Sequence, residues 1–207
     1  MDFQALLASR RSIRKFLPDI VTDAQITQLI AAAVTAPSGC NSQCWRFIAV
    51  RSPEQIKALA HAVEKGVRRF YEGKEESFLN GRIKQTTFFQ KAPLVILAYL
   101  TEMQYHDPRV TECYSAKGMN RKAMLAALGS PDLLSVGAAV ENLLLMAEHM
   151  GLGGCWMNDP VVAEQEISAL FDVPPQHRLL SVIPIGKPAY TPRQKCMKPM
   201  EEILTIL

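Results

Sequence analysis

The chain has 207 residues, of which 48% are hydrophobic and 21% are charged. This composition is typical of a globular protein with one sizeable core, and we expect a single α+β domain over residues 1–207. The formal net charge of +3 is too small to indicate nucleic acid or an anionic membrane as a partner. No apolar run reaches the ~18 residues of a membrane-spanning helix, and the first basic residues follow an apolar stretch, the reverse of a secretory signal. We therefore expect a soluble, cytoplasmic protein.

The cysteines and histidines give no sign of a metal site. The five cysteines are widely and irregularly spaced, and the odd number excludes complete pairing within the chain. No CxxC pair and no HExxH motif is present. We expect reduced thiols and no bound metal.

The first half of the chain predicts two helices, a strand and a third helix. Residues 2–9 form a short amphipathic pattern, and the spacing of Thr22 and Gln25 predicts a capping box for a second helix that stops before Pro37. Residues 45–50 are rich in β-prone side chains, and Pro53 opens another helical pattern. The charged and aromatic segment 64–91 is helical or lid-like in this interpretation.

The second half predicts a buried strand and one long helix. The apolar run 93–100 is typical of a central strand, and 101–129 has the pattern of an irregular excursion with a partial helix. Ser130 as N-cap and Pro131 begin a helix that Gly151 ends, and this helix is apolar around much of its circumference. A helix near 162–171, a strand at 179–186 and a β-prone tail at 201–207 follow. The tail has no neighbouring strand in sequence, and together with the apolar helix it indicates a dimer.

Two basic segments are candidates for binding phosphate. Residues 10–15 contain four cations and a serine, and arginine binds phosphate through paired, charge-assisted hydrogen bonds. The second segment follows a predicted strand and contains Lys187, Arg193, Lys195 and Lys198. The two segments can converge on one dianion; the alternative for each is a solvated charged surface.

Two further segments suit a flat heteroaromatic ligand. The turn 37–43 presents Ser38, Asn41, Ser42 and Gln43, which supply donors and acceptors for the edge of such a ring, although an ordinary polar loop has the same composition. The glycines of 151–158 allow close backbone approach, and Trp156 and Met157 can lie beside the ring or belong to the core. The spacing differs from the GxGxxG fingerprint of dinucleotide-binding folds. With no acid, base or nucleophile set in the sequence, a bound cofactor is expected to carry the chemistry.

Taken together, these segments resemble the FMN-dependent nitroreductase family. RRSIRKF at 10–16 is similar to the family's RRSxRxF, and APSGCNSQCWRF at 36–47 to APSxxNxQPWRF, with Cys44 in place of the usual proline. GLGGCW at 151–156 resembles GLGxxW, and IGKP at 185–188 resembles IGxP. The four blocks occur in the family's order across nearly the whole chain.

The resemblance implies a fold, a cofactor and a partner. The fold is an α+β three-layer sandwich with a mostly antiparallel central sheet flanked by helices, and the C-terminal strand is exchanged in a homodimer that binds FMN at the subunit interface. Arg10, Arg11 and Ser12 would hold the phosphate and Arg14 the pyrimidine edge. The remaining cofactor-binding residues implied are Pro37, Ser38 and Asn41 from the second subunit, then Gln43, Trp156, Met157, Asn158, Gly186, Lys187, Arg193 and Lys195.

One block departs from the family. The expected K-x-R-x-P is KCMKP at 195–199, so Met197 stands where an arginine on the phosphate is expected. Arg193 or Lys198 is the candidate replacement.

The resemblance implies an NAD(P)H-dependent oxidoreductase. In the expected ping-pong reaction, hydride passes from NADH or NADPH to flavin N5 and then to a nitroaromatic, quinone or similar small acceptor. Alternatives are specialised family chemistry such as dehalogenation or flavin breakdown, and a flavin-binding sensor without turnover. A nucleic-acid binder is a more distant alternative, because the basic residues cluster near the two ends of the chain rather than in one stripe with aromatic side chains.

Overall fold

The computed structural model describes residues 2–105, 107–193 and 195–207. The helices in these ranges are α1 (Phe3–Ser9), α2 (Asp23–Ala33), α3 (Pro53–Phe70), α4 (Glu76–Thr86), α5 (Pro108–Ala116), α6 (Arg121–Ala127), α7 (Pro131–His149) and α8 (Glu164–Leu170). The strands are β1 (Trp45–Val50), β2 (Leu94–Leu100), β3 (Gly153–Gly154) and β4 (Arg178–Gly186). Short 3-10 turns lie at Gly39–Asn41, Phe88–Lys91, Asp159–Ala163 and Met200–Glu202.

The four strands form one antiparallel sheet in the order β1-β2-β4-β3. Every residue of β2 is buried, as expected for a strand with neighbours on both edges and helices on both faces. The continuous apolar run therefore predicted both the strand and its central position correctly.

The core lies in two layers, one on each face of the sheet. Side chains alternate along a strand, so Ile96 and Ala98 of β2 pack with α2 and α7, whereas Leu97 and Tyr99 pack with α3 and α8. Helices on both faces of an antiparallel sheet confirm the α+β three-layer sandwich. The arrangement also explains why α7 is so apolar, because it contacts α2 as well as the sheet.

The two predicted helix starts have different outcomes. At α2, Thr22 and Gln25 form the expected reciprocal capping box. At α7, Pro131 occupies the first turn, but the Ser130 side chain makes no capping hydrogen bond. Ser130 has a left-handed φ of 56°, and its N–H donates to the Leu125 carbonyl at the end of α6. Ser130 is therefore the N-cap residue as predicted, but its side chain does not cap the helix, because this residue belongs to the tight connection between two helices.

The segments with the weakest periodicity are more regular than expected. Helix α3 runs to Phe70 and α4 follows, which makes most of 64–91 helical. Segment 101–129 contains two helices, α5 and α6, rather than one partial helix. Helix α5 buries no residue, and its apolar spacing is confined to Val110, Cys113 and Tyr114, which is too short a pattern to predict a separate helix.

The C-terminal tail does not form the predicted strand within the single chain. After the turn at Met200–Glu202, residues 203–207 have no regular structure and are exposed. A strand needs a hydrogen-bonded neighbour, and none in the described part of the chain lies beside the tail. Exchange of this segment with a second copy stays a prediction.

The described residues were compared with the features of membrane-spanning helices and of metal sites. Among the described residues no single helix has the length and apolar character to cross a membrane, while the bent pair α6 and α7 meets that test by length and composition only. The same residues contain no group of three or more histidine, cysteine or acidic side chains placed to hold a metal ion.

Gly66 in α3 gives a direct test of the packing on the outer layer. A Cβ at this position would overlap the backbone and side chain of Ala163. We expect Gly66→Ala to lower the free energy of unfolding by about 1–3 kcal/mol, the usual cost of overpacking. Gly81→Ala in α4 is the matched control, because no atom lies within 4 Å of its added Cβ. That control should be neutral or stabilising by up to about 1 kcal/mol in urea unfolding; equal effects at both sites would contradict the packing described here.

Candidate functional site

The two basic segments lie side by side and line one cleft of about 490 Å³. Its lining residues are Arg10, Arg11, Ser12, Arg14, Tyr190, Pro192, Arg193 and Lys195. A hydrogen bond of 3.2 Å from Arg11 Nε to the Arg193 carbonyl oxygen joins the two segments there, across 182 positions of sequence. The cleft is referred to below as the basic cleft.

The backbone of the first basic segment is held in place by the end of the sheet. The Ile13 N–H donates to the Gly154 carbonyl at 2.9 Å, and the Leu17 N–H to that of Lys187 at 2.9 Å. The Ile13 side chain is buried against Gly153, where a Cβ would overlap it. Glycine is therefore required at 153 for the segment to lie this close. Ile13 faces the core, while Ser12 and Arg14 on either side of it line the basic cleft.

Most of the positive charge in the basic cleft is not neutralised by the chain itself. Arg10 Nε lies 3.2 Å from Glu141 Oε1. Arg11 donates to carbonyl oxygens, and Arg14 makes a long contact of 3.4 Å with the Ser12 carbonyl. No carboxylate in the described ranges pairs with Arg11, Arg14 or Arg193. Guanidinium and ammonium donors around a serine hydroxyl suit a phosphate monoester, so the residues present fit the phosphate of FMN.

Cys155 lies directly behind this segment. Burial raises the pKa of its thiol, and the charge of Arg14 and a hydrogen bond with Ser12 act in the opposite direction. Because burial dominates, the thiol stays protonated near neutral pH and acts as a packing group behind Ser12.

Several predicted cofactor residues lie outside the basic cleft. Lys187 Nζ pairs with Asp19 Oδ1 at 3.1 Å, and Gly186 packs against Pro93. Met197 is 64% exposed, and Lys198 lies 4.0 Å from Glu202. Of the two candidates to replace the missing arginine, Arg193 lines the cleft and Lys198 does not.

The loop 37–43 lies against the beginning of α7 rather than in the basic cleft. The Gly39 N–H donates to Ser135 Oγ at 3.1 Å, and the Gln43 N–H to Ser38 Oγ at 3.0 Å. Cys40, Asn41 and Gln43 have left-handed φ values of 54°, 51° and 46°. Three such residues without glycine store about 1 kcal/mol or more of strain each, which is typical of segments shaped for function. Within one chain, the residues that line the basic cleft do not include Pro37, Ser38, Asn41 or Gln43.

The 156–158 segment presents a mixture of buried and exposed groups. The Met157 side chain is buried in the core layer with α3, and the Asn158 amide donates to the Leu180 carbonyl at 2.7 Å. Trp156 is 38% exposed and reaches Gly137 of α7. Trp156 and Asn158 line a cleft of about 320 Å³ with α7 and β4.

A larger cleft, of about 580 Å³, lies between α6 and the beginning of α7 and is referred to below as the cleft beneath α6. It contains Asp132, Lys122 and Arg178 and was missed by the sequence analysis. Asp132 is an acidic residue in the first turn of a helix, a common stabilising position, so its sequence context carried no signal of a site.

The profile of the nitroreductase family matches residues 7–187. The chain belongs to the nitroreductase family. It is 28% identical over 192 residues to the 5,6-dimethylbenzimidazole synthase of Rhodobacter capsulatus, with 90% of this chain and 83% of that protein covered. Among solved structures it is similar to a BluB-like flavoprotein of Clostridium difficile 630, with a TM-score of 0.85 and 26% identity over 100% of this chain and 99% of that one. A Desulfovibrio desulfuricans structure in complex with FMN shares the fold, with a TM-score of 0.68, 21% identity and coverage of 99% and 95%.

Proposed function

We propose that this protein is an FMN-dependent oxidoreductase that works as a homodimer, takes electrons from NADH or NADPH and reduces a small nitroaromatic, quinone or similar acceptor in a ping-pong reaction. The observation that carries the proposal is the basic cleft, in which four cations without a carboxylate partner in the described chain surround Ser12. Such a cleft is complementary to a phosphate dianion. The FMN found in a structure of the same fold supports the choice of cofactor.

In this proposal Arg11, Ser12, Arg193 and Lys195 hold the phosphate, and Arg14 faces the pyrimidine edge of the flavin. FMN, when bound, accepts and donates hydride at N5. The chain supplies position and charge, because a fixed cation beside a group that gains negative charge lowers the cost of its reduction. Trp156 and Asn158 border the ligand in this proposal.

Apolar surface that the single chain leaves uncovered supports the proposed homodimer. Phe3 of α1, Leu134 of α7 and the tail residues Ile203 and Ile206 are all largely exposed. An interface that covered these side chains would remove their apolar surface from water, which is favourable. In the dimer we propose, the strained loop 37–43 of each copy completes the flavin site of the other.

Two further observations bear on setting and chemistry. All five cysteines are free, which suits a reducing compartment such as the cytoplasm. Similarity to a 5,6-dimethylbenzimidazole synthase favours specialised flavin chemistry as the second candidate, and the cleft beneath α6 gives such a reaction space for a specific substrate.

Alanine variants of Arg193 and Lys198 test which of the two side chains binds the FMN phosphate. Arg193→Ala should weaken FMN binding by about 10- to 100-fold, because a charge-assisted hydrogen bond to phosphate contributes roughly 1.5–3 kcal/mol. Lys198→Ala should change FMN affinity less than twofold, since its side chain lies outside the basic cleft. Titration of each apoprotein with FMN, followed by quenching of flavin fluorescence, measures both. A larger loss for Lys198→Ala would reassign the missing arginine's role.

Turnover separates the enzyme from a flavin-binding sensor. Initial rates of NADPH or NADH oxidation, measured with nitrofurazone and with menadione, should give parallel double-reciprocal lines, as a shared slot for donor and acceptor requires. A flavin-loaded protein that oxidises neither nicotinamide with either acceptor would contradict the proposed activity.

A further inference from the structure

The cleft beneath α6 has an apolar body of a size suited to a small molecule. Its volume of about 580 Å³ lies within the range of ligand pockets. The apolar lining residues are Leu100, Met103, Leu125, Ala126 and Leu133. Leu133 and Arg178 also line the adjoining cleft that contains Trp156, so an occupant would lie next to the proposed flavin site.

The side chain of Asp132 lines this space, and one of its carboxylate oxygens is buried without a partner in the described ranges. Asp132 is only 7% exposed, and its Oδ1 atom has no hydrogen-bond partner within the described ranges. The buried hydroxyl of Tyr105 is also unpartnered there, and Asp132 lies within electrostatic range of it. The N-terminal end of α7 favours a negative charge at Asp132, but it leaves the Oδ1 lone pairs unsatisfied. A buried acceptor of this kind is stabilised by an N–H donor from a ligand.

The rim of the same cleft is positively charged. Lys122 and Arg178 line it, are exposed to solvent and have no carboxylate partner in the part of the chain that the structure describes. The third cation, Arg121, is already paired with Glu102 at 3.2 Å. The cleft therefore combines a buried hydrogen-bond acceptor, Asp132, with two exposed cations that have no carboxylate partner in the described residues, Lys122 and Arg178.

We propose that this cleft binds an amphoteric small molecule, with an apolar body, an N–H donor accepted by Asp132 and an anionic group held by Lys122 and Arg178. The proposal rests on the proposed function in one respect, since it assigns this molecule as the acceptor of the oxidoreductase. Binding itself does not depend on turnover.

Three probes with one aromatic body separate the two polar contacts. The first, 4-nitro-L-phenylalanine, carries both an amine and a carboxylate. The second, 4-nitrophenethylamine, carries only the amine, and the third, 3-(4-nitrophenyl)propionate, carries only the carboxylate. Calorimetric titration of the oxidised, FMN-loaded protein without nicotinamide measures binding alone. We expect 4-nitro-L-phenylalanine to bind about tenfold more tightly than either of the others.

Two variants test the two halves of the site. Asp132→Asn, which keeps the side-chain shape, should weaken both amine probes about tenfold and leave the propionate unchanged. Arg178→Ala should weaken the two carboxylate probes and leave 4-nitrophenethylamine unchanged. Asp107→Asn is the control, because Asp107 pairs with Arg109 away from the cleft.

The outcomes distinguish this inference from the proposed function. Equal affinities for the three probes, or variants that affect them without regard to charge, would overturn the amphoteric site. If Asp132→Asn does not fold, the Arg178→Ala comparison between the amine and carboxylate probes decides the question. Binding as expected without nicotinamide oxidation would leave the site in place and contradict only the oxidoreductase activity.

Discussion

Replacing Arg14 by alanine is expected to weaken FMN binding about 10- to 100-fold and to make the bound flavin harder to reduce. Arg14 lines the basic cleft without a carboxylate partner in the described chain, so its charge is available to the ligand. A charge-assisted contact of this kind contributes roughly 1.5–3 kcal/mol. The cation also interacts more strongly with the reduced flavin, which carries more negative charge, than with the oxidised flavin. Each 1.4 kcal/mol of that difference corresponds to about 30 mV for two electrons, and we expect the potential to fall by about 30–60 mV.

Two comparisons make the Arg14 result specific. Arg14→Lys keeps the charge and should recover most of the potential but less of the affinity, because an ammonium group lacks the paired geometry of guanidinium. Arg109→Ala removes an exposed arginine that pairs with Asp107 outside the cleft and should leave both quantities unchanged. Potentials measured against a reference dye give the answer directly. An alanine variant that keeps its flavin and its potential would show that Arg14 does not face the cofactor.

Replacing Leu134 by glutamate is expected to separate the dimer and release FMN. Leu134 is 68% exposed on α7, and burial of a leucine side chain contributes about 1.5–3 kcal/mol. A two-fold interface contains the residue twice, and each introduced carboxylate would also have to be desolvated. We expect the dissociation constant of the dimer to rise by roughly a thousandfold or more, measured by analytical ultracentrifugation. Loss of FMN should follow, because loop 37–43 of the second copy is withdrawn.

Leu170→Glu is the matched control for the interface. Leu170 ends α8 on the opposite face of the sheet and is also exposed, so the same substitution there should preserve dimer and flavin. Both variants should keep the circular dichroism spectrum of the wild-type protein, which shows that loss of the dimer is not loss of the fold. A Leu134→Glu protein that stays dimeric with its flavin would place the interface elsewhere.

Much of the fold was predictable because strong local patterns coincide with burial. The apolar run of β2 and the capping box at Thr22 are features that neighbouring residues determine. Helix α5 was not predicted as a separate helix, because its apolar pattern is short and it buries no side chain. The conformation of Ser130 was also beyond prediction, since it depends on how α6 ends.

The candidate site also has features that the sequence predicted and features that depend on the three-dimensional packing. Runs of cations near both ends of the chain predicted phosphate binding, and the structure places Arg11 and Arg193 in one cleft. The pairing of Lys187 with Asp19 was not predictable, because it depends on how the turn after β4 packs on the first segment. Asp132 was missed because a first-turn acid has an ordinary helical explanation. Its unpartnered oxygen is visible only in three dimensions.

The central claim is that the basic cleft holds FMN and that the bound flavin accepts electrons from a nicotinamide. An absorbance spectrum of the purified protein, taken after FMN addition and desalting and then after NADH or NADPH without oxygen, tests both parts. We expect the protein to retain flavin bands near ~450 nm and these bands to bleach with NADH, NADPH or both. A protein that retains no flavin after desalting, or whose flavin keeps its colour with both donors, would contradict it.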